Sequence, residues 1–175
     1  MKTTEEIFEV LKNRYSEDII GITNMPPEKI IDVKPDAIFK VSAFLINDPD
    51  LDFDNLMILS GLDDANGTKT NQPDGSFEFV GGTLSVVYHI ESTKHRHKLV
   101  LRVSVPKENP VTESVVKVWA CADWHEREAY DMVGVIFNNH PNLIRILMPY
   151  DWDAGYPLRK DYKNPEFYQG MKVPY

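Results

Sequence analysis

An α+β fold, with a mostly antiparallel sheet and helices packed on one side of it, is predicted by the order of apolar segments along this chain. β-Branched and aromatic runs follow one another between amphipathic segments, without the strict strand–helix alternation of a doubly wound fold. Apolar residues make up 42% and charged residues 26% of the 175 residues, which is ordinary for a globular domain. We therefore expect one domain over residues 1–148 and an extended tail over residues 149–175.

Three helices are predicted from capping signals and a period of 3.6 residues. Thr3 and Glu6 have the spacing of a capping box. Asn109 followed by Pro110 is typical of a helix start, and Gly134 is typical of a helix end. The predicted helices run from about Thr4 to Tyr15, from Pro35 to just before Asp48, and from Asn109 to about Met132.

Short β-branched and aromatic runs predict the strands. A polar loop is expected over 63–75, where Asp74-Gly75 favours a turn, and a hairpin connection over 92–97. Proline and aromatic residues predict that the segment from Pro149 onward is extended. The predicted strands are Ile19–Ile22, Ile30–Val33, Leu56–Leu59, Phe77–Val80, Thr83–Glu91, Lys98–Val105, Val135–Phe137 and Leu143–Leu147.

Charge and composition exclude several classes of function. The net charge of −8 disfavours non-specific binding to nucleic acid or to anionic lipid. No apolar run reaches the ~20 residues that span a bilayer, and the acidic start does not fit a signal peptide. We expect a chain that is neither exported nor integral to a membrane. The single cysteine, Cys121, forms no internal disulfide and is expected to be a buried, inert thiol in a reducing compartment.

Candidate metal and catalytic motifs are weak. His95 and His97 flank Arg96 in a lysine-rich segment, which favours a solvated hairpin tip over a metal site. His125-Glu126 lacks the second histidine of a zinc-protease helix, since Ala129 stands four residues later. Glu126 and Glu128 are two residues apart on a helix and point to different faces, so an acid–base pair is disfavoured. No glycine motif indicates a phosphate cradle, and we expect no cofactor bound by this chain alone.

Charge and aromatic rings are unusually dense in the last third, over 124–131, 140–147 and 151–162. A plain solvated face needs no such rings, whereas a surface desolvated against another protein uses Arg, Tyr and Trp for most of its binding energy. The residues alone leave two interpretations open. The segment docks a partner, or it folds back onto its own domain.

Three motifs in these segments resemble one family. They read Glu126-Arg-Glu-x-x-Asp-Met132, His140-Pro-x-Leu-x-Arg-Ile-Leu147 and Asp151-Trp-x-x-Gly-x-Pro-Leu-Arg-Lys-Asp-Tyr162. Their order and spacing resemble the 30-kDa subunit of respiratory complex I, the proton-pumping NADH:quinone oxidoreductase, over about residues 119–162. The first hundred residues agree only in layout. Ile144 stands where that family often has a second basic residue.

The resemblance implies an accessory structural subunit of the peripheral arm, on the cytoplasmic side of the cell membrane. It implies docking to the 49-kDa subunit beside which quinone is reduced, with subunits B and I nearby. Flavin, iron–sulfur clusters and quinone would lie on partner subunits, and this chain would be non-catalytic. The implied docking residues are Glu126, Arg127, Glu128, Asp131, His140, Arg145, Asp151, Trp152, Arg159, Lys160, Asp161 and Tyr162.

Other functions remain open from the sequence. Energy-converting membrane-bound hydrogenases and F420H2 dehydrogenases use a similar subunit, and the electron donor is oxidised on other chains. A stand-alone binding module is an alternative of another class. A free-standing enzyme would use His125, Glu126 or Glu128.

Overall fold

The computed structural model describes residues 1–71 and 77–173, and three helices lie against one face of a five-stranded sheet. The helices are α1 (Thr4–Arg14), α2 (Ile38–Asn47) and α3 (Ala122–Val133). The strands are β1 (Ile19–Met25), β2 (Glu28–Val33), β3 (Asn55–Asp63), β4 (Thr68–Asn71), β5 (Phe77–Val80), β6 (Thr83–Glu91), β7 (Lys98–Pro106), β8 (Val111–Glu113), β9 (Ile136–Asn138), β10 (Phe167–Tyr168) and β11 (Met171–Lys172). The predicted α+β class is confirmed.

The main sheet has the strand order β1-β2-β7-β6-β3. Its pairs are antiparallel except β2 with β7, which run parallel from Ile30↔Val100 to Asp32↔Arg102. The hairpin predicted over 92–97 joins β6 to β7, with the Arg96 N–H donating to the Ser92 carbonyl at 2.8 Å. The remaining strands form three separate two-stranded pairs: β4-β5, β8-β9 and β10-β11.

The core lies between the helices and one face of the main sheet. Alternation along β6 places Leu84, Val86, Tyr88 and Ile90 on the core face, and all four are fully buried. Val87 points to the other face, where it packs with Ile30 and Val100 in a second, small cluster. The apolar stripes of α1, α2 and α3 join the first cluster, so the helices share one side of the sheet.

Two local features explain the position of the first and third helices. Both halves of the predicted capping box at Thr3 and Glu6 form, so α1 begins where the sequence indicates. Helix α3 crosses β3 at Gly61, where an added Cβ atom would lie 3.0 Å from Cβ of Ala129. A residue without a side chain at this point brings the two backbones together, and thereby fixes the position of α3 on the sheet.

The third helix was predicted to start about a dozen residues too early. Residues 111–113 form β8, which pairs in parallel with β9, and α3 begins at Ala122. The Ile136 N–H donates to the Pro110 carbonyl at 2.7 Å, next to this pair. Long-range pairing therefore outweighs the local helix-start signal of Asn109-Pro110.

The strand predicted over Leu143–Leu147 was also wrong. These residues have no strand structure, and the backbone N–H groups of Ile146, Leu147 and Met148 donate instead to the Asp131 carboxylate. The predicted polar loop is shorter than 63–75, because Thr68–Asn71 forms β4 and β3 extends through Asp63. The Asp74-Gly75 turn lies outside the described residues.

Two predictions about single side chains were wrong. Cys121 is exposed rather than buried, and its thiol lies 3.7 Å from the Leu56 carbonyl. His97 is buried rather than solvated, and its Nε2 lies 2.6 Å from the Leu51 carbonyl oxygen. Within residues 1–71 and 77–173, no helix has the length and hydropathy needed to cross a bilayer.

Candidate partner-docking surface

Asp131, in the last turn of α3, holds the following loop from inside the protein. Its side chain is fully buried. Oδ2 accepts three backbone N–H bonds, from Ile146, Leu147 and Met148, at 2.7–3.0 Å. Oδ1 accepts from Nη1 of Arg145 at 2.7 Å. Burial alone would raise the pKa of this carboxyl group, but these donors outweigh it and lower the pKa.

Tyr156 connects the loop to the tail. Two guanidinium groups lie near its ring, that of Arg159 at 4.4 Å from the ring centroid and that of Arg145 at 5.5 Å. Such stacked cation–π contacts contribute about 0.5–1 kcal/mol each at partly exposed sites. Arg159 Nε also donates to the Val133 carbonyl at 2.7 Å, and the Leu158 N–H donates to the Met132 carbonyl at 2.9 Å. The segment from Tyr156 to Arg159 therefore caps the carboxyl end of α3.

Asp63, at the end of β3, provides a third attachment. Its fully buried side chain accepts from Lys107 Nζ at 2.8 Å and from the Lys160 N–H at 2.9 Å through the same oxygen. Burial of this carboxyl group would by itself raise its pKa. The hydrogen-bond donors, of which Lys107 has the largest effect, outweigh burial and lower the pKa. Lys160 is thus fixed through its backbone, while the residue itself is exposed.

Glu126 is also fully buried, on the face of α3 that meets the sheet. Its Oε1 accepts from the Val115 N–H at 2.7 Å. The side chains of Glu126 and Asp131 are thus too buried to contact a partner directly. Any part they have in docking is indirect, through the segments that they hold.

The outer side of α3 is formed by an aromatic ring and a cation. Trp124 is 63% exposed, and the guanidinium of Arg127 lies 4.9 Å from its ring centroid. Arg127 Nε donates to the Ile144 carbonyl at 3.3 Å, which joins this side of the helix to the loop. Nearby, His140 Nδ1 accepts from the Asn142 N–H at 3.0 Å, so Nε2 carries the proton and faces Asp123 Oδ1 at 3.2 Å.

Asp151 and Trp152 contact the far end of the tail. Asp151 accepts from the Tyr168 hydroxyl at 2.7 Å and from Gln169 Nε2 at 2.8 Å. Trp152 packs against the Tyr168 ring at 5.3 Å. These contacts close the small β10–β11 hairpin against residues 151–152.

Three of the predicted site residues make few contacts in the structure. Glu128 and Asp161 are exposed, and Tyr162 is half-buried with its N–H donating to the Arg159 carbonyl at 3.2 Å. The twelve predicted residues thus include buried anchors, residues that hold the tail, and exposed or half-buried residues at the surface.

Large apolar side chains remain exposed on α3 and on the segments that are held against it. Trp124, in the first turn of α3, is 63% exposed, and Ile144, Leu147 and Leu158 are 51%, 60% and 57% exposed. We call Trp124, Arg127, Ile144, Leu147 and Leu158 the α3 surface. Clustered aromatic, aliphatic and Arg side chains on a rigid base are typical of a protein–protein contact.

Sequence reasoning missed three contributors. Tyr156 and Asp63 were not singled out, and Asp123 was not connected with His140. Tyr156 lies between two arginines that were singled out, at 145 and 159, which is a usable signal for a stacked ring. The Asp63 contact spans 97 residues and leaves no local signal.

The surroundings of His95 and His97 do not favour a metal site. His95 and His97 rings are stacked at 5.5 Å, but each has Nε2 beside a backbone carbonyl, of Pro49 and of Leu51. Across the described part of the chain, no group of three or more His, Cys, Asp or Glu side chains is arranged to hold a metal ion.

Known proteins resemble this chain along most of its length. The family described as "Respiratory-chain NADH dehydrogenase, 30 Kd subunit" matches residues 31–168. An NADH-quinone oxidoreductase subunit of Chloroherpeton thalassium is 41% identical over 173 residues, which is 98% of this chain and 65% of that protein, just under two thirds. The subunit of the same name from Chlorobium phaeobacteroides is 35% identical over 172 residues, covering 96% of this chain and 93% of that protein.

A solved structure shares the fold. The trypsin-resistant fragment of Nqo5 superposes with a TM-score of 0.58 at 24% identity, covering 78% of this chain and 98% of the fragment. At this identity the likeness concerns the fold alone, and it agrees with the α+β architecture described above.

Proposed function

Because this chain belongs to the family of the 30-kDa subunit of respiratory-chain NADH dehydrogenase, we propose that it docks the quinone-site subunit of a proton-translocating NADH:quinone oxidoreductase. The family predicted from the three motifs is confirmed, since its model covers residues 31–168. The docking role is a further proposal, which the exposed surface of the chain supports.

The α3 surface is the observation that carries this proposal. Four of its five members are large apolar side chains that are each more than half exposed. They are not on a loose loop, because Asp131, Asp63 and Arg159 fasten the backbone beneath them. A rigid base loses little conformational entropy on association, so most of the apolar burial is available to stabilise the complex.

The partner that we propose for this surface is the 49-kDa quinone-site subunit, with subunits B and I close by. In that arrangement the chain lies at the membrane periphery on the cytoplasmic side, held there through the complex. Exposed charges near the α3 surface, on Glu128, Lys160 and Asp161, would form the polar rim of the contact.

We propose that the chain itself is non-catalytic, with flavin, iron–sulfur clusters and quinone on partner subunits. Its contribution is geometric, because a contact with a rigid base keeps its neighbours in a fixed register. Spectroscopy and metal analysis of the purified full chain are expected to find no stoichiometric prosthetic group. One held by its own side chains would contradict this part of the proposal.

The docking proposal is tested with a matched pair of isoleucines. Ile144→Asp places a negative charge within the α3 surface, at a position where the family often has a basic residue, whereas Ile20→Asp places it at a bulge of β1, where the residue is 62% exposed. Interface truncations that matter cost about 1–2 kcal/mol or more, so we expect Ile144→Asp to lower affinity for the 49-kDa subunit roughly tenfold or more. Co-purification and native gels measure this effect.

The control decides how the result is interpreted. Ile20→Asp is expected to assemble like the unmodified chain, and both variants are expected to unfold at similar urea concentrations. Undiminished assembly of Ile144→Asp, or an equal loss with Ile20→Asp, would count against docking through the α3 surface.

A further inference from the structure

Glu126 and Tyr88 are among the buried side chains that have a polar atom without a hydrogen-bond partner in the described part of the chain. Glu126 is 0% exposed, and while Oε1 accepts from the Val115 N–H, Oε2 has no partner among the described residues. Tyr88 is also 0% exposed, and its hydroxyl group lacks a partner in the same part of the chain. Buried polar atoms without partners are rare because each one costs about 1–3 kcal/mol.

The fold brings these two residues to the same layer. Tyr88 pairs with Leu59 of β3 and points to the helices, and Gly61, two residues beyond Leu59, receives Ala129 of α3. Glu126 lies one turn before Ala129 on the same face of the helix, which places it above the Leu59–Tyr88 pair. Burial raises the pKa of Tyr88 well above its usual value, and the nearby Glu126 carboxyl group raises it further.

The surroundings of Glu126 disfavour a negative charge. No Lys, Arg or His side chain in the described residues forms an ion pair with it. Tyr88 faces it from β6, Ser114 and Val115 face it from the preceding segment, and Asp123 adds like charge from one turn earlier on α3. Asp123 is itself beside His140.

The net effect of these surroundings is an elevated pKa. Burial raises the pKa of Glu126 to about 7, against the opposing hydrogen bonds from Ser114 and Val115. The carboxyl group of an unfolded chain has a pKa of 4.5, so the folded chain binds a proton more tightly at this site.

We propose that Glu126 is a buried proton-binding site, which takes up one proton from solvent at Oε2 as the chain folds and releases it when α3 separates from the Ser114–Val115 segment. In the protonated form Oε1 still accepts from the Val115 N–H, and the buried Oε2 carries no charge. In the ionised form the Val115 N–H and the Ser114 side chain offset the charge, but they do not compensate for its burial. Ionisation therefore destabilises the packing of α3 against the Val115 segment, independently of the proposed function.

Urea unfolding of the full chain at several pH values tests this site. A carboxyl group with a raised folded pKa stabilises fully below pH 4.5, and its contribution is lost as the pH rises through about 7. Between about pH 5 and pH 8 we expect the folding equilibrium constant of the unmodified chain to fall roughly tenfold or more relative to Glu126→Gln. The glutamine variant imitates the neutral acid and cannot ionise.

The matched control is Glu128→Gln, on the same helix but exposed. It is expected to keep the pH dependence of the unmodified chain, and the same slope in Glu126→Gln would overturn the proposal. Infrared spectroscopy of the unmodified chain provides a second readout that needs no variant to fold. We expect the carbonyl band of a protonated carboxylic acid to persist at about pH 6 and to vanish reversibly by about pH 8. Complete ionisation of every carboxyl group by about pH 5.5 would also overturn it.

Discussion

The ring of Tyr156 lies directly against the backbone of Gly134, so that a Cβ atom added to Gly134 would come within 2.6 Å of two ring carbons. Gly134 also has a φ of +87°, the left-handed conformation that ends α3. One glycine thus both terminates the helix and provides the space in which the tail packs against its end. This contact connects the helix with the segment that carries Leu158.

Replacing Gly134 by alanine should separate the tail from the helix end. Gly155→Ala is a matched control, since Gly155 has a φ of +91° and, apart from its chain neighbours, none of the described residues comes within 4 Å of its added Cβ. The control should cost about 1–2 kcal/mol for the left-handed backbone. Gly134→Ala should cost about 1–3 kcal/mol more, because the Tyr156 ring must move. Urea unfolding measures both, and equal costs would show that the ring contact contributes nothing.

Asp131→Asn should loosen the loop over residues 144–148. The asparagine side chain keeps the shape of the aspartate but loses the negative charge to which the Arg145 guanidinium and three backbone N–H groups donate. Breaking a buried pair of this kind costs about 3–5 kcal/mol. The exposed control Asp161→Asn should change stability by less than about 0.5 kcal/mol. Hydrogen exchange should be faster at Ile146, Leu147 and Met148 in Asp131→Asn, and unchanged protection there would refute the role of this carboxylate.

The same carboxylate should contribute to acid sensitivity. The pKa of Asp131 is lowered in the folded chain, so its stabilisation is present above the unfolded value of 3.8 and is lost as the pH falls below it. We expect the stability of Asp131→Asn to fall less steeply below about pH 4 than that of the unmodified chain. Parallel acid-unfolding curves, monitored by tryptophan fluorescence, would contradict this assignment.

Elements with strong local signals could be predicted from the sequence. The capping box fixed the start of α1, and alternation of apolar residues identified β6 and β7 with their hairpin. Elements that depend on distant contacts could not be predicted. Residues 111–113 pair with a strand 25 residues later, and the N–H groups of 146–148 go to a side chain instead of a strand.

The sequence predicted which residues belong to the candidate site, but not whether their side chains face the core or the solvent. The density of charge and rings singled out Glu126, Asp131 and Arg159, yet the first two face inward. A signal for Glu126 was present, because Ala122, Ala129 and Val133 share its helical face and are all buried. No comparable signal marks Asp63, whose contact with Lys160 depends on the complete fold.

The separate segment over 149–175 stays a prediction from the sequence. Within it, Tyr156 to Lys160 contact α3 and β3, while the β10–β11 hairpin contacts Asp151 and Trp152. Residues 156–160 therefore fold back onto the domain, which is one of the two interpretations that the sequence left open, and they thereby support the α3 surface.

Hydrogen exchange of the full chain, alone and bound to the 49-kDa subunit, is the most direct test of docking through the α3 surface. We predict that binding slows exchange over residues 144–148 and 156–160 and along the exposed side of α3, while β1 exchanges as in the free chain. Protection confined to β1 and the outer face of the main sheet, with none near Trp124 or Leu147, would contradict the account.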